Sequence, residues 1–154
     1  MGIFSIFKKK KHFFSDEENE MIVQAIRDAE HRTSGEIRVF IESKCRFIDA
    51  LDRTQEIFAE LKMQNTEYRN GVLFYLALKD RQLAIFADSG IHSAVGEQYW
   101  KKAVNSILAH FNKESYAEGI KEGILKIGEA LATHFPYDKN VDKNELPDEI
   151  VFGK

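Results

Sequence analysis

Residues 71–78 read GVLFYLAL and form the most hydrophobic run of the chain. Three charged residues, Lys79, Asp80 and Arg81, separate it from a second apolar run, LAIFA, at 83–87. Apolar character without alternation is what a strand covered on both faces requires. The gap between the runs is too short for a crossover helix, so they are predicted to pair as an antiparallel hairpin. A strand buried on both faces in turn needs helices above and below it.

The remaining sequence supplies those helices. Ser15, Asp16, Glu17 and Glu18 match a capping box, and Met21, Ile22, Ala25, Ile26 and Ala29 behind them give one apolar helix face. Gly35 is expected to end this helix in a left-handed conformation. Residues 36–43 (EIRVFIES) predict a strand, and 44–53 a polar connection. Ile57, Phe58 and Leu61 mark a short helix ending near Met63. Val95, Tyr99, Trp100, Val104, Ile107, Leu108 and Phe111 trace one long helix from about 93 to 112. A second capping box at Ser115 and Glu118 opens a helix bearing Ile120, Ile124, Ile127, Leu131 and Phe135, which Pro136 closes. Gly119, Gly123 and Gly128 each cost about 1 kcal/mol against alanine in a helix. They are therefore expected where another element approaches closely. With a strand-like piece at 150–152, the order gives an α/β three-layer αβα sandwich around a central mixed sheet of about four strands. Residues 1–14 form a basic and aromatic terminal segment, 15–136 the domain, and 137–154 an acidic tail expected to pack on it.

The chain has 154 residues, enough for one domain. Its 22 Lys and Arg against 25 Asp and Glu leave a net charge of −3, which argues against nucleic acid as a partner. One cysteine, Cys45, excludes an internal disulfide and a multi-cysteine zinc site. No apolar run approaches the roughly 20 residues of a membrane span. Residues 1–14 (MGIFSIFKKKKHFF) put apolar residues before the lysines, the reverse of a secretory signal. A cytoplasmic protein is expected, with this segment either solvated or in weak contact with a membrane surface.

The acidic tail carries the most suggestive chemistry. Asp138, Asn140, Asp142 and Asn144 place oxygens at alternate positions, as in the opening of a calcium loop, and Glu149 falls at the twelfth place. Lys143 stands where an EF-hand needs glycine, and Pro147 interrupts the loop, so an EF-hand proper is not expected. Further carboxylates are Glu42 at the end of the first strand, Asp49 and Asp52 in the loop after it, and Asp88 at the end of the third strand. If strands one and three run the same way, these share one edge of the sheet and need a cation to offset their repulsion. The alternative for Asp88 is a turn residue before Ser89 and Gly90. No Walker loop, G-x-G-x-x-G, H-E-x-x-H or nucleophile elbow is present.

Several stretches carry a family resemblance. They are Thr33-Ser34-Gly35 with Glu36-Ile37-Arg38-Val39, Arg69-Asn70-Gly71 leading into the hydrophobic strand, Arg81 through Asp88-Ser89-Gly90-Ile91, and Ser115-Tyr116-Ala117-Glu118-Gly119-Ile120. Over about residues 15–135 the chain resembles the TPM domain. The resemblance implies an αβα sandwich on a four-stranded sheet, divalent metals at loops near strand ends, and in some members acid phosphatase activity. Asp88 and Gly90 correspond to the strand-end pattern. Where the family commonly has an aromatic-Gly-Leu-Glu stretch, this chain has Asp88-Ser89-Gly90-Ile91, which removes one acidic ligand that the tail is expected to replace.

The expectation is a divalent-cation-binding regulatory or interaction domain. Glu42, Asp49, Asp88, Asp138, Asn140, Asp142 and Glu145 would hold calcium, with magnesium as the second choice. The alternatives are a metal-dependent phosphatase, carried by the resemblance alone, and a structural domain for an unidentified protein partner with a terminal membrane tether.

Overall fold

A computed structural model describes residues 14–45, 49–111, 115–137 and 150–153. In chain order the elements are α1 (Asp16–Glu30), β1 (Glu36–Glu42), α2 (Ala50–Glu60), β2 (Gly71–Ala77), β3 (Gln82–Ala87), α3 (Ser89–Val95), α4 (Glu97–Phe111), α5 (Tyr116–His134) and β4 (Ile150–Phe152). The strands form one mixed sheet in the order β3-β2-β1-β4. β1 is parallel to both β2 and β4, and β2 pairs antiparallel with β3.

The period-2 rule of a strand sorts the core into two layers. Ile37, Val39 and Ile41 of β1 and Val72, Phe74 and Leu76 of β2 face α1, α4 and α5 in the larger apolar cluster. Phe40, Leu73, Tyr75 and Ala77 face α2 in the smaller one. The sandwich is therefore three-layered, and both faces of the hydrophobic hairpin are covered, as the sequence predicts.

Local signals resolve differently at four places. The Ser15 capping box forms, with Ser15 Oγ accepting from the Glu18 amide and Glu18 Oε1 from the Ser15 amide, each at 3.0 Å. The second one does not: Ser115 makes no side-chain cap and instead donates to the His110 carbonyl at 3.2 Å. Gly35 has no positive φ. It is small because a Cβ there would lie 2.7 Å from Leu131 Cδ2. The helix expected over 93–112 is broken at Gly96, whose φ of +83° and ψ of 163° suit glycine alone. The polar connection expected over 44–53 already contains the first turn of α2, capped by Asp49 Oδ1 accepting from the Leu51 amide at 2.9 Å. The α5 glycines sit at close approaches as expected. A Cβ on Gly123 would lie 2.4 Å from Ile107 Cδ1 of α4, and one on Gly128 2.6 Å from Ala29 Cβ of α1.

Candidate functional site

Two buried carboxylates stand at opposite ends of the sheet, each held by an arginine. Glu42 closes β1 and is 5% exposed. Its two oxygens accept from Nε and Nη2 of Arg53, both at 3.0 Å, and Tyr75 Oη donates to Oε2. Arg53 projects from the first turns of α2, also pairs with Glu56, and lies 5.8 Å from the Phe40 ring centroid, within cation–π range. The hydrogen bond to Glu42 raises the Arg53 pKa further above its ordinary value. Burial first, and then the hydrogen bond to Glu42, raises that of Tyr75.

Asp88 follows β3 and is 3% exposed. Arg69 donates Nε to its Oδ2 at 2.6 Å and Nη2 to its Oδ1 at 2.8 Å, a bidentate clamp. Asp88 Oδ1 also accepts from the Ser89 amide at 2.7 Å, which makes Asp88 the N-cap of α3. Arg69 adopts a left-handed φ of +53° to reach it. Gly90 lies so close that a Cβ would meet the Tyr68 carbonyl oxygen at 2.2 Å. The hydrogen bond from Arg69 to Asp88 raises the Arg69 pKa.

Between these ends runs a groove of about 770 Å³ along β3. Such a volume is typical of ligand clefts. Its floor is the edge strand from Leu83 to Ala87, one wall is α2 (Ala50, Leu51, Gln55), and the other is α4 (Trp100, Val104, Asn105). Asp49, Asp88, Glu97 and Lys101 lie around it. The Asp88 amide donates to the Gly71 carbonyl at 2.9 Å, so 88, 86, 84 and 82 are the positions hydrogen-bonded to β2. The N–H and C=O groups of Leu83, Ile85 and Ala87 therefore point away from β2, and among the described residues no strand pairs with that outer edge. On the α4 wall, the buried indole N–H of Trp100 has no hydrogen-bond partner among the described residues.

This geometry corrects the shared edge expected of the carboxylates. β1 and β3 run in opposite senses, so Glu42 lies level with Ala77 and Asp88 beside Gly71. Six residues of strand separate the two levels, about 20 Å. Glu42 and Asp49 belong to one end of the sheet and Asp88 to the other, so Glu42 and Asp88 do not share one ion. The cation that Glu42 and Asp88 each need is a guanidinium of the chain itself. Among the described residues no group of three His, Cys, Asp or Glu side chains is placed to hold a metal. Asp138, Asn140, Asp142 and Glu145 lie outside the described residues. The flanks of their segment are described: Pro136 bridges to Thr33, and Ile150 enters the sheet beside Val39, parallel to β1. Both flanks therefore approach from the Asp88 end. No helix among the described residues is long and apolar enough to cross a membrane.

Arg53 and Arg69 are absent from the sequence-level site, although one signal could have found Arg69. A hairpin turning over residues 78–81 pairs Gly71 with position 88, which brings Arg69 to Asp88. The groove has no such signal, because nothing in the β3 sequence says that it lies at an edge.

Comparison with known proteins agrees with this architecture. The sequence profile of the TPM domain matches residues 7–130. The NMR structure of BA42 protein from the psychrophilic bacterium Bizionia argentinensis is 43% identical, with 93% of this chain and 97% of that one covered and a TM-score of 0.85. The N-terminal domain of a protein from P. gingivalis is 20% identical, covers 84% of this chain and 85% of its own, and has a TM-score of 0.69. The N-terminal domain of cg2496 from Corynebacterium glutamicum is 19% identical, with coverages of 77% and 74% and a TM-score of 0.62. These last two share the fold. No curated protein matches the chain.

Proposed function

The chain belongs to the TPM domain family, and from that premise we propose that it is an interaction domain whose groove along β3 receives an extended apolar segment flanked by positive charge. The observation that carries this reading is the outward-facing N–H and C=O groups of Leu83, Ile85 and Ala87 on the floor of a two-walled groove. A strand edge offers main-chain hydrogen bonds to an extended peptide, and the walls supply apolar contacts for its side chains. With Asp88 paired to Arg69, Asp49 and Glu97 still outnumber Lys101, the one Lys or Arg among the described lining residues, which favours a basic flank on the ligand. The walls of α2 and α4 recess the edge, so a slender segment fits where a second copy of the whole sheet does not. A synthetic peptide of alternating valine and isoleucine between lysine pairs is the probe. It should change the emission of Trp100, the single tryptophan, saturably. Leu51→Lys, at a 40% exposed wall position, should weaken that response. No saturable response in either chain contradicts the reading.

A second reading keeps the cation. Both flanks of the acidic segment 138–149 are rooted at the Asp88 end of the sheet, which supports calcium held by Asp138, Asn140, Asp142 and Glu145 as a clasp on that rim. Glu42 has no part in it, since Arg53 and Tyr75 occupy both of its oxygens. Calcium at a hundredfold excess over its dissociation constant should stabilise the fold by about 2.7 kcal/mol. An unchanged melting temperature at millimolar calcium removes this reading. For phosphatase chemistry, carried by the resemblance, the described residues offer no carboxylate cluster to act on a phosphate.

A further inference from the structure

We infer that Trp100 selects the segment that docks along β3, by giving its indole N–H to a neutral side-chain acceptor, such as threonine, asparagine or glutamine, at the ligand position level with Ala87. This rests on the docking reading above and adds its specificity. Trp100 lines the groove and is 6% exposed. Its Nε1 is buried and has no hydrogen-bond partner among the described residues. A buried tryptophan ordinarily finds a partner for this proton, and leaving a buried donor unmet costs more than a typical hydrogen bond returns. The α4 wall therefore enters the complex with a donor still to satisfy. A ligand that brings an acceptor gains over one that brings only carbon. Asp49 and Glu97 against Lys101 favour a neutral acceptor over a carboxylate.

The fold fixes which position of the ligand meets the indole. Leu83, Ile85 and Ala87 share the larger apolar cluster with Trp100. Ligand residues level with these three turn their side chains to the α4 side, and the intervening ones turn to α2. α4 and α5 pack antiparallel, with His110 against Gly119 and Ile107 against Gly123. Gly123 also lies against Phe74, which pairs with Ile85, so Ile107 is level with the middle of β3. α5 continues from there to Leu131, which packs on Gly35 at the Asp88 end. α4 runs the opposite way, so Trp100, two turns ahead of Ile107, lies about 10 Å toward that end. This places it past Ile85 and beside Ala87 rather than Leu83. Ala87 is the smallest of the three floor residues on this side, which leaves room beside the indole for a polar side chain.

The probes are lysine-flanked valine peptides in which each core position in turn carries threonine, the isostere of valine. Affinities are measured by calorimetry for the full chain and for its Trp100→Phe variant, and the single indole N–H resonance of the full chain is followed by NMR. In the full chain, threonine at one position should bind several-fold tighter than valine there and move the indole proton downfield. Elsewhere threonine should bind no better, because its hydroxyl is buried without a partner. Trp100→Phe should lose the threonine advantage and still bind the all-valine peptide. The indole shift is read in the full chain, so it decides the matter even where Trp100→Phe folds poorly. At the favoured position asparagine should outbind aspartate, and the reverse order overturns the neutral acceptor. A threonine advantage that survives in Trp100→Phe overturns the inference while the docking reading stands. So does the absence of any advantage with the same indole shift for every peptide. No binding of any peptide overturns the docking reading itself.

Discussion

Glu42 and Asp88 show how a buried charge is kept. Each is almost fully removed from water, and each has both oxygens engaged by one guanidinium. Removing one partner of a buried pair costs more than replacing both, because the survivor is left uncompensated. Arg53→Met should therefore destabilise the protein by about 3 kcal/mol. Arg53→Met with Glu42→Gln should recover a large part of that loss, as urea unfolding of the three chains would show. Tyr75 adds a pH dependence. Its folded pKa lies above the ordinary value of 10.0, so the neutral phenol is favoured by folding. The contribution is complete below pH 10 and is lost as the pH rises beyond it. The stability gap between the native chain and Tyr75→Phe should shrink progressively above pH 10. A gap that stays constant contradicts the raised pKa of Tyr75. Gly90 is tighter still, since a methyl there meets backbone oxygen and not the tip of a side chain. Gly90→Ala should cost about 3 kcal/mol or more by forced displacement of the Tyr68–Arg69 backbone, and chemical shifts at Asp88 and Ser89 would report the disturbance.

Elements were legible where the signal is local. The hairpin, the Ser15 cap and the close-packed α5 glycines each rest on residues near one another in sequence or on one helix face. The break at Gly96 was not legible, because the apolar stripe from Val95 to Phe111 runs through it without a change of period. Only the backbone reveals that Gly96 separates α3 from α4. That conformation is essentially closed to other residues, so Gly96→Ala should cost about 1–3 kcal/mol even though nothing lies within 4 Å of the added methyl. A loss near zero in thermal unfolding would mean that α3 and α4 can merge. The shared edge expected of Glu42 and Asp88 failed for a long-range reason. The same hairpin that fixed β3 antiparallel to β2 also carried Asp88 away from Glu42, once β1 proved parallel to β2.

Across the whole molecule, the sheet is closed unequally. β4 covers the outer edge of β1, whereas β3 keeps its own edge in a groove between two helices. An edge strand left open is ordinarily short, charged or covered, because it invites pairing with another chain. Here it is apolar and recessed, a shape that admits one strand and discourages open-ended association. The fold class was readable from the hydrophobic hairpin, but this asymmetry emerges only when all the strands are placed. Amide hydrogen exchange of β3, with and without the lysine-flanked peptide, tests it most directly. Pairing at the free edge should slow exchange at Leu83, Ile85 and Ala87 while leaving Ala84 and Phe86, already bonded to β2, unchanged. Saturating peptide with no slowing at those three amides, or with slowing spread evenly along the strand, would contradict docking at the edge of β3.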